Sequence, residues 1–451
     1  MSAELELEKI ARDAVALAVE SGATDAECTI SEGSEFEVSL RMGEVETLKQ
    51  AGSRGAGIRV LQGQRAGSAY TSDLTPEGIA KMVVSAIEIA EVTSEDPFAG
   101  LPAASDLGKI DIDLQLHHGD VERLTTEEKM DMAKRAEQTA LAADPRITNS
   151  EGASFGSGEG IRVFANSRGF SGSYRYSSCS LHTVPVAKDG DSMERDSWST
   201  SARSAALLES PESVGRMAAK RVLRRLNPRK VATQKCPIVF DRRMARGFAS
   251  HLFEALNGGS IYRKSSFLAG KLGEKIAVDG LTLIDDPTIP GLFGSYPFDD
   301  EGVPGRRKAV IENGVLRSYL LNTYSARKLG LATTGNASRG LSGNAGVGYG
   351  NFYIEKGSLS DSEIVRSVKS GFYVTELIGS GVSVVTGDYS RGAAGQWIEN
   401  GELVYPVSEV TIASNLRDML MRIEAIGSDL EFRGSLASPT LLIGEMTVSG
   451  Q

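Results

Sequence analysis

GQWIENGELVYPVSEVTIA, Gly395–Ala413, consists of two runs of strand-forming residues separated by Asn400-Gly401. An Asn-Gly pair accepts the positive φ that both central positions of a type I′ turn require, and that turn matches the twist of the strands it joins. The stretch therefore predicts an antiparallel hairpin. KAVIENGVLRSYLLN, Lys308–Asn322, repeats the device at Asn313-Gly314. FYVTELIGSGVSVVTGDYS, Phe372–Ser390, adds another strand pair, and SPTLLIGEMTVSG, Ser438–Gly450, reads as a closing strand. Residues 236–451 are accordingly expected to form a mostly β domain, sandwich or barrel-like.

Upstream, the pattern changes to helix, strands, helix, and does so twice. The opening stretch Met1–Glu20 places Leu7, Ile10, Ala11, Ala14, Leu17 and Ala18 on one helical face. Strand runs follow at 36–50 and 55–71. A helix then starts at an N-cap Thr75 with Pro76 in its first turn, turning Ile79, Met82, Val83, Ala86 and Ala90 inward. The second unit begins at Thr125, with Glu128 spaced for a capping box, and its helix runs to about Ala143. Strands over 158–187 follow, then a helix capped by Ser210 and Pro211 that buries Val214, Met217, Ala218 and Val222. The fold class is α+β, with an N-terminal α/β domain over 1–228 that has the form of an internal duplication. Its two units are joined by a Pro- and Gly-punctuated connector at about 94–123. Leu226–Lys235 reads as the linker between the domains.

A chain of 451 residues exceeds what one core usually serves, and 41% hydrophobic with 24% charged residues is ordinary globular composition. Its net charge of −10, without a long basic run, argues against direct nucleic-acid contact. The basic cluster that starts at Lys220 ends a helix pattern, where cations suit the macrodipole. Cys28, Cys179 and Cys236 lie far apart, which fits neither a disulfide framework nor a zinc ribbon and points to a reducing compartment. No apolar run approaches the roughly 18 residues that span a bilayer, so no membrane partner is expected and the cytoplasm is the expected location.

Histidine is scarce: His117 and His118 in the connector, His182 in a strand, His251 in a helix. No G-x-S-x-G elbow occurs. The glycine-rich segment Gly335–Asn351 lacks the G-K-[ST] ending of a phosphate loop and reads as a mobile loop or flap. His117-His118 beside Asp120 reads as a solvated linker. The helix RMARGFASHLFEALNGG, Arg243–Gly259, has Asp241 as its N-cap, Gly258 as its C-cap, and a buried stripe of Met244, Phe248, Leu252, Ala255 and Leu256. It carries His251 and Glu254 one turn apart. A helical zinc site needs at least two imidazoles on one face and a carboxylate to activate water, and no second histidine follows within two turns. From its sequence surroundings alone, His251 is structural.

Two blocks, Gly291–Gly340 and Val374–Leu420, resemble the TldD/PmbA peptidase family, also called modulators of DNA gyrase, and within it the PmbA or TldE branch. The resemblance is densest from about Pro237 to Gln451. It implies a cytoplasmic heterodimeric zinc peptidase whose TldD subunit carries H-E-x-x-x-H on a helix and a C-terminal cysteine as a further ligand. Histidines five apart lie roughly 140° apart on an ideal helix, so such a site needs a π-like distortion. Anchored on SSFLAGKLG, Ser265–Gly273, the motif falls on Ala249, Ser250 and Glu254, none of which has the required chemistry, and no cysteine follows Cys236.

The resemblance thus implies a metal-free subunit that is inactive alone and pairs with a TldD-like catalytic chain holding the zinc. It would help to hold extended or unfolded peptides, and as an isolated chain it could form homodimers. The loop around Asp388, Tyr389, Ser390 and Arg391, which combines an Asp-Arg charge pair, an aromatic ring and neighbouring glycines, is expected to supply the peptide-cleft contacts, with His251 and Glu254 as weaker candidates. Two further readings differ in class. One is an autonomous metallopeptidase that joins a distant His182 or an acidic residue to His251 and Glu254, a grouping the sequence does not offer. The other is a modulator that contacts gyrase through protein.

Overall fold

The computed structural model describes residues 3–450; Met1 and Ser2, at the head of the expected first helix, and Gln451 lie outside the described residues. The first unit runs α1 (Ala3–Glu20), β1 (Asp25–Arg41), β2 (Glu44–Gln62), β3 (Arg65–Thr71) and α2 (Pro76–Val92). The second runs α3 (Asp120–Arg123), α4 (Thr126–Ala142), β4 (Ile147–Asn166), β5 (Ser171–Asp189), β6 (Ser192–Arg195), β7 (Trp198–Ala202) and α5 (Pro211–Leu223). The helix starts follow the local chemistry. Thr75 accepts from the Gly78 N–H, Ser210 from the Ser213 N–H, and Thr125 with Glu128 forms the full capping box.

Both units feed one antiparallel seven-stranded sheet, ordered β3-β2-β1-β4-β5-β6 with β7 also on β5. Side chains alternate along a strand, so the even-numbered residues of β1 share a face. Ala26, Cys28 and Ile30 pack with α1 and α2, whereas Phe36, Val38 and Leu40 pack with α4 and α5. Both helix pairs therefore lie on one face, at opposite ends of the long strands. The other face is left for the second half of the chain.

That second half contains a closed barrel. β8 (Gln234–Phe240) lies between Ser370–Val382, to which it runs parallel, and Leu441–Ser449, to which it runs antiparallel. Ser370–Val382, Asp388–Glu399 and Glu402–Asn415 form a meander. Pairing of Thr411 with Ser449 then joins the last of these to Leu441–Ser449, so five strands close on themselves. The Asn400-Gly401 turn has φ of 51° and 82°, the type I′ signature expected of it. The Asn313-Gly314 turn, at 47° and 78°, serves a separate five-stranded sheet instead. The barrel core gathers Ile238, Phe240, Phe372, Trp397, Ile412 and Ile443.

Four segments find partners that the sequence does not announce, and two of them, the glycine-rich segment and the connector, differ from their expected character. The glycine-rich segment 335–351 is no free flap. Arg339 is 8% exposed, pairs with Glu27 of β1 at 2.5 Å and donates to Thr29 Oγ1 at 3.0 Å. Arg59 of β2 pairs with the same Glu27 at 2.8 Å and donates to Asn344 at 2.9 Å. Gly57 lets this backbone close onto the sheet, since a Cβ there would stand 1.5 Å from the Leu341 carbonyl oxygen. The connector is not solvated around its histidines: His117 Nε2 lies 3.5 Å from Glu159, and Asp120 accepts from Ser204 Oγ at 2.7 Å. The basic cluster is an ion-paired seam, with Arg221 on Asp196 at 3.1 Å and Arg225 on Glu376 of the barrel at 2.6 Å. The linker is fixed by Arg229 N–H donating to the Pro406 carbonyl at 2.8 Å.

Candidate functional site

α6 (Arg242–Leu256) begins directly after β8, with Asp241 accepting from the Arg243 N–H as its N-cap. It ends at Asn257, and Gly258, the expected cap, instead opens a further helical turn, Gly258–Tyr262. Ala245, Phe248, Ala249, Leu252, Phe253, Ala255 and Leu256 are buried, and Met244 lies at the margin of this stripe.

The positions that the zinc motif would occupy are now placed. Ala249 is a fully buried methyl in the core, Ser250 is half-buried, and Glu254 is exposed. α6 is continuous α-helix from Ala249 to Glu254, without the π-like turn that would bring residues five apart onto one side. Among the described residues, no group of three or more His, Cys, Asp or Glu could hold a metal ion. A zinc ion of the family kind does not fit this donor set: a methyl, a hydroxyl and a single solvent-facing carboxylate.

His251 faces elsewhere. Its ring meets the Tyr389 ring edge-on, with centroids 6.0 Å apart at 75°. Burial, with the Arg391 guanidinium adding to it, pushes its pKa down to about 4, so the imidazole is neutral at pH 7. His182, paired in β5 with Ser154 and Ser199, is likewise held below the usual range by burial and by Arg243. It joins no metal-holding group with His251 and Glu254.

Asp388 to Arg391 form no loop. They open the barrel strand Asp388–Glu399, and strand alternation separates their roles. Asp388 and Ser390 are exposed, Arg391 is half-buried, and Tyr389 is 3% exposed, its phenol raised by burial. The Asp-Arg pair does not form, because residues three apart on a strand point to opposite faces. Asp388 accepts from Thr386 Oγ1 at 2.6 Å, and Arg391 Nε donates to the Ile378 carbonyl at 3.3 Å. Tyr389 is thus an interior ring and no cleft contact, but it and Arg391 meet His251 in one cluster. That convergence was legible only in the alternating pattern of Tyr389, Arg391 and Ala393.

Two accessible features lie outside these candidates. The strand Ser370–Val382 pairs with β8 only across Phe372–Val374, which leaves its outer edge without a ladder partner from Thr375 to Gly381. On the helix-free face of the N-terminal sheet, a cleft of about 540 Å³ is lined by Glu37, Lys49, Ala51, Gly156, Ser180 and Phe293 among others. Its sequence signal is the alternation of small residues in ASFGSGEG, Ala153–Gly160, which leaves one face of β4 without bulk.

The chain is similar to known proteins over nearly its whole length. Residues 233–450 match the PmbA/TldA metallopeptidase C-terminal domain, 119–226 the central domain, and 26–90 domain 1. The chain is 44% identical over 446 residues to the metalloprotease PmbA of Escherichia coli O157:H7, covering 98% of this chain and 97% of that one. It is 40% identical over 452 residues to the Haemophilus influenzae homolog, covering 99% and 97%. A Bacteroides thetaiotaomicron structure described as a modulator of DNA gyrase superposes with a TM-score of 0.92 at 30% identity, covering 99% of each chain. TldE from Thermococcus kodakarensis shares the fold, with a TM-score of 0.86 at 22% identity over 98% of this chain and 100% of that one.

Proposed function

The chain belongs to the PmbA/TldA metallopeptidase family, and on that premise we propose that it is a metal-free subunit of the PmbA or TldE kind, pairing in the cytoplasm with a TldD-like chain that carries the zinc. The observation that carries this reading is the buried methyl of Ala249 where the family motif calls for its first histidine. No side-chain rotation supplies a ligand there, and the neighbouring imidazole of His251 turns toward Tyr389.

The subunit's work in this reading is to hold extended peptide for the partner's zinc. The unpaired edge from Thr375 to Gly381 supports it, since main-chain hydrogen bonds to an added strand accept many sequences. Elemental analysis of the purified chain, alone and co-expressed with a TldD-like partner, tests the proposal alongside peptide hydrolysis on the same samples. The expected result is substoichiometric zinc and no cleavage for the lone chain, with both gained in the complex. One zinc per lone chain together with cleavage, both lost in His251→Ala, would overturn it.

A further inference from the structure

The opening turns of α6 carry Arg242, Arg243 and Arg246, and Arg433 joins them from near the end of the chain to line one shallow recess. Its lining holds a single carboxylate, Glu431. Arg242 and Arg433 take that carboxylate between them, at 2.6 and 2.7 Å, and Arg433 also reaches Glu209 at 3.0 Å. The other two cations are left over. Neither Arg243 nor Arg246 forms an ion pair among the described residues, and Arg246 is exposed. Arg243 lies against the Trp198 ring, 5.0 Å from its centroid, where burial and the nearby Arg221 push its pKa down to about 10. Arg433 Nε is buried without an acceptor. The recess is therefore short of acceptors, in a chain whose net charge is −10. The surface beside it is open, since a Cβ added at Gly247 or Gly434 would meet nothing within 4 Å.

Its place in the fold gives the recess a use. The Asp241 N–H donates to the Val374 carbonyl at 3.1 Å, so α6 departs where the unpaired run Thr375–Gly381 begins. Glu376, at the start of that run, is already neutralised by Arg225 at 2.6 Å. On another side, Ser201 of the 540 Å³ cleft donates to the Arg433 carbonyl at 3.2 Å. Unpaired guanidinium groups next to a strand edge suit one ligand chemistry. The planar fork of an arginine meets a carboxylate with two parallel charge-assisted N–H···O bonds, whereas an amide offers one neutral oxygen.

We propose that this recess binds the carboxylate of an extended peptide through Arg246 and Arg243, so that a peptide added along Thr375–Gly381 runs antiparallel to that strand and ends with its C-terminus at α6. The inference rests on the peptide-holding role proposed above and gives it a polarity. Main-chain hydrogen bonds along the edge accept many sequences. The arginines then select which end of the peptide lies beside α6.

Fluorescence anisotropy of the full chain with short peptides of serine, threonine and valine tests this, using an uncharged BODIPY label at the peptide N-terminus. Three forms are compared: a free C-terminal acid, its amide, and an amide whose last residue is glutamate. The acid should bind at least about tenfold more tightly than the plain amide, in line with hydrogen bonds to a charged group. The glutamate amide separates the sources: recovered affinity admits a side-chain carboxylate, and affinity as low as the plain amide's restricts the recess to a chain terminus. Arg246→Gln, at an exposed position, should remove the preference, and Arg246→Glu should reverse it. Arg317→Gln, which removes a surface cation paired with Glu312, should keep it. Equal affinities for acid and amide overturn the recess and leave the strand edge standing, as does a preference that survives Arg246→Gln. Failure of every form to bind overturns the peptide-holding role and the recess with it.

Discussion

His251 shows how a residue can resemble a catalytic group and behave as part of the packing. Its pKa falls from the ordinary 6.5 to about 4 in the folded chain, so native His251 refuses a proton that the unfolded chain accepts between those values. Stability from this residue is complete above pH 6.5 and is lost as the pH falls toward 4. The full shift corresponds to at most about 3 kcal/mol. Replacing His251 with Leu should therefore flatten the acid limb of stability between pH 6.5 and 4, measured as urea midpoints against pH for both proteins. Parallel limbs would show that the imbalance lies elsewhere. The residue scale was only half legible in the sequence. The isolation of His251 from other ligands follows from histidine scarcity, whereas Asp388–Arg391 reads as a loop because glycines flank it, and the strand it opens takes its partners from elsewhere in the barrel.

At the scale of the element, local chemistry decided most outcomes. Thr125 closes a capping box with Glu128, and Thr125→Ala should cost about 1 kcal/mol, read from the denaturant midpoint at unchanged slope. Gly401 at φ 82° is more demanding, because an added Cβ would lie 2.8 Å from the Arg366 carbonyl oxygen. Gly401→Ala should destabilise by about 1–3 kcal/mol, whereas Asn400→Gly, which keeps the type I′ geometry open, should stay close to wild type in the same thermal melts. Caps and Asn-Gly turns were legible because every partner lies within a few residues. The closure of the barrel was not, since the pairing of Thr411 with Ser449 leaves no local trace.

Across the whole molecule, the two halves are held by charges buried between them. Glu27 is 1% exposed and takes Arg59 from its own sheet and Arg339 from the other half. Removing one member of a buried ion pair strands its partner, so Arg339→Ala should cost about 3–5 kcal/mol in chemical denaturation. Gly57→Ala should act at the same seam by pushing Leu341 off the sheet. A second, earlier unfolding step in both variants would mark release of the halves from each other, and a single step at the wild-type midpoint would refute the role given to the seam. No reading of the sequence could pair Glu27 with Arg339, because the contact spans 312 positions. The barrel has a further consequence for how the chain is made. β8 lies between one strand that starts at Ser370 and another that starts at Leu441, so it leaves the ribosome long before either neighbour exists. During that interval its Ile238, Val239 and Phe240 have no sheet to enter, and the half-synthesised chain is a client for chaperones, while the N-terminal sheet can already be complete.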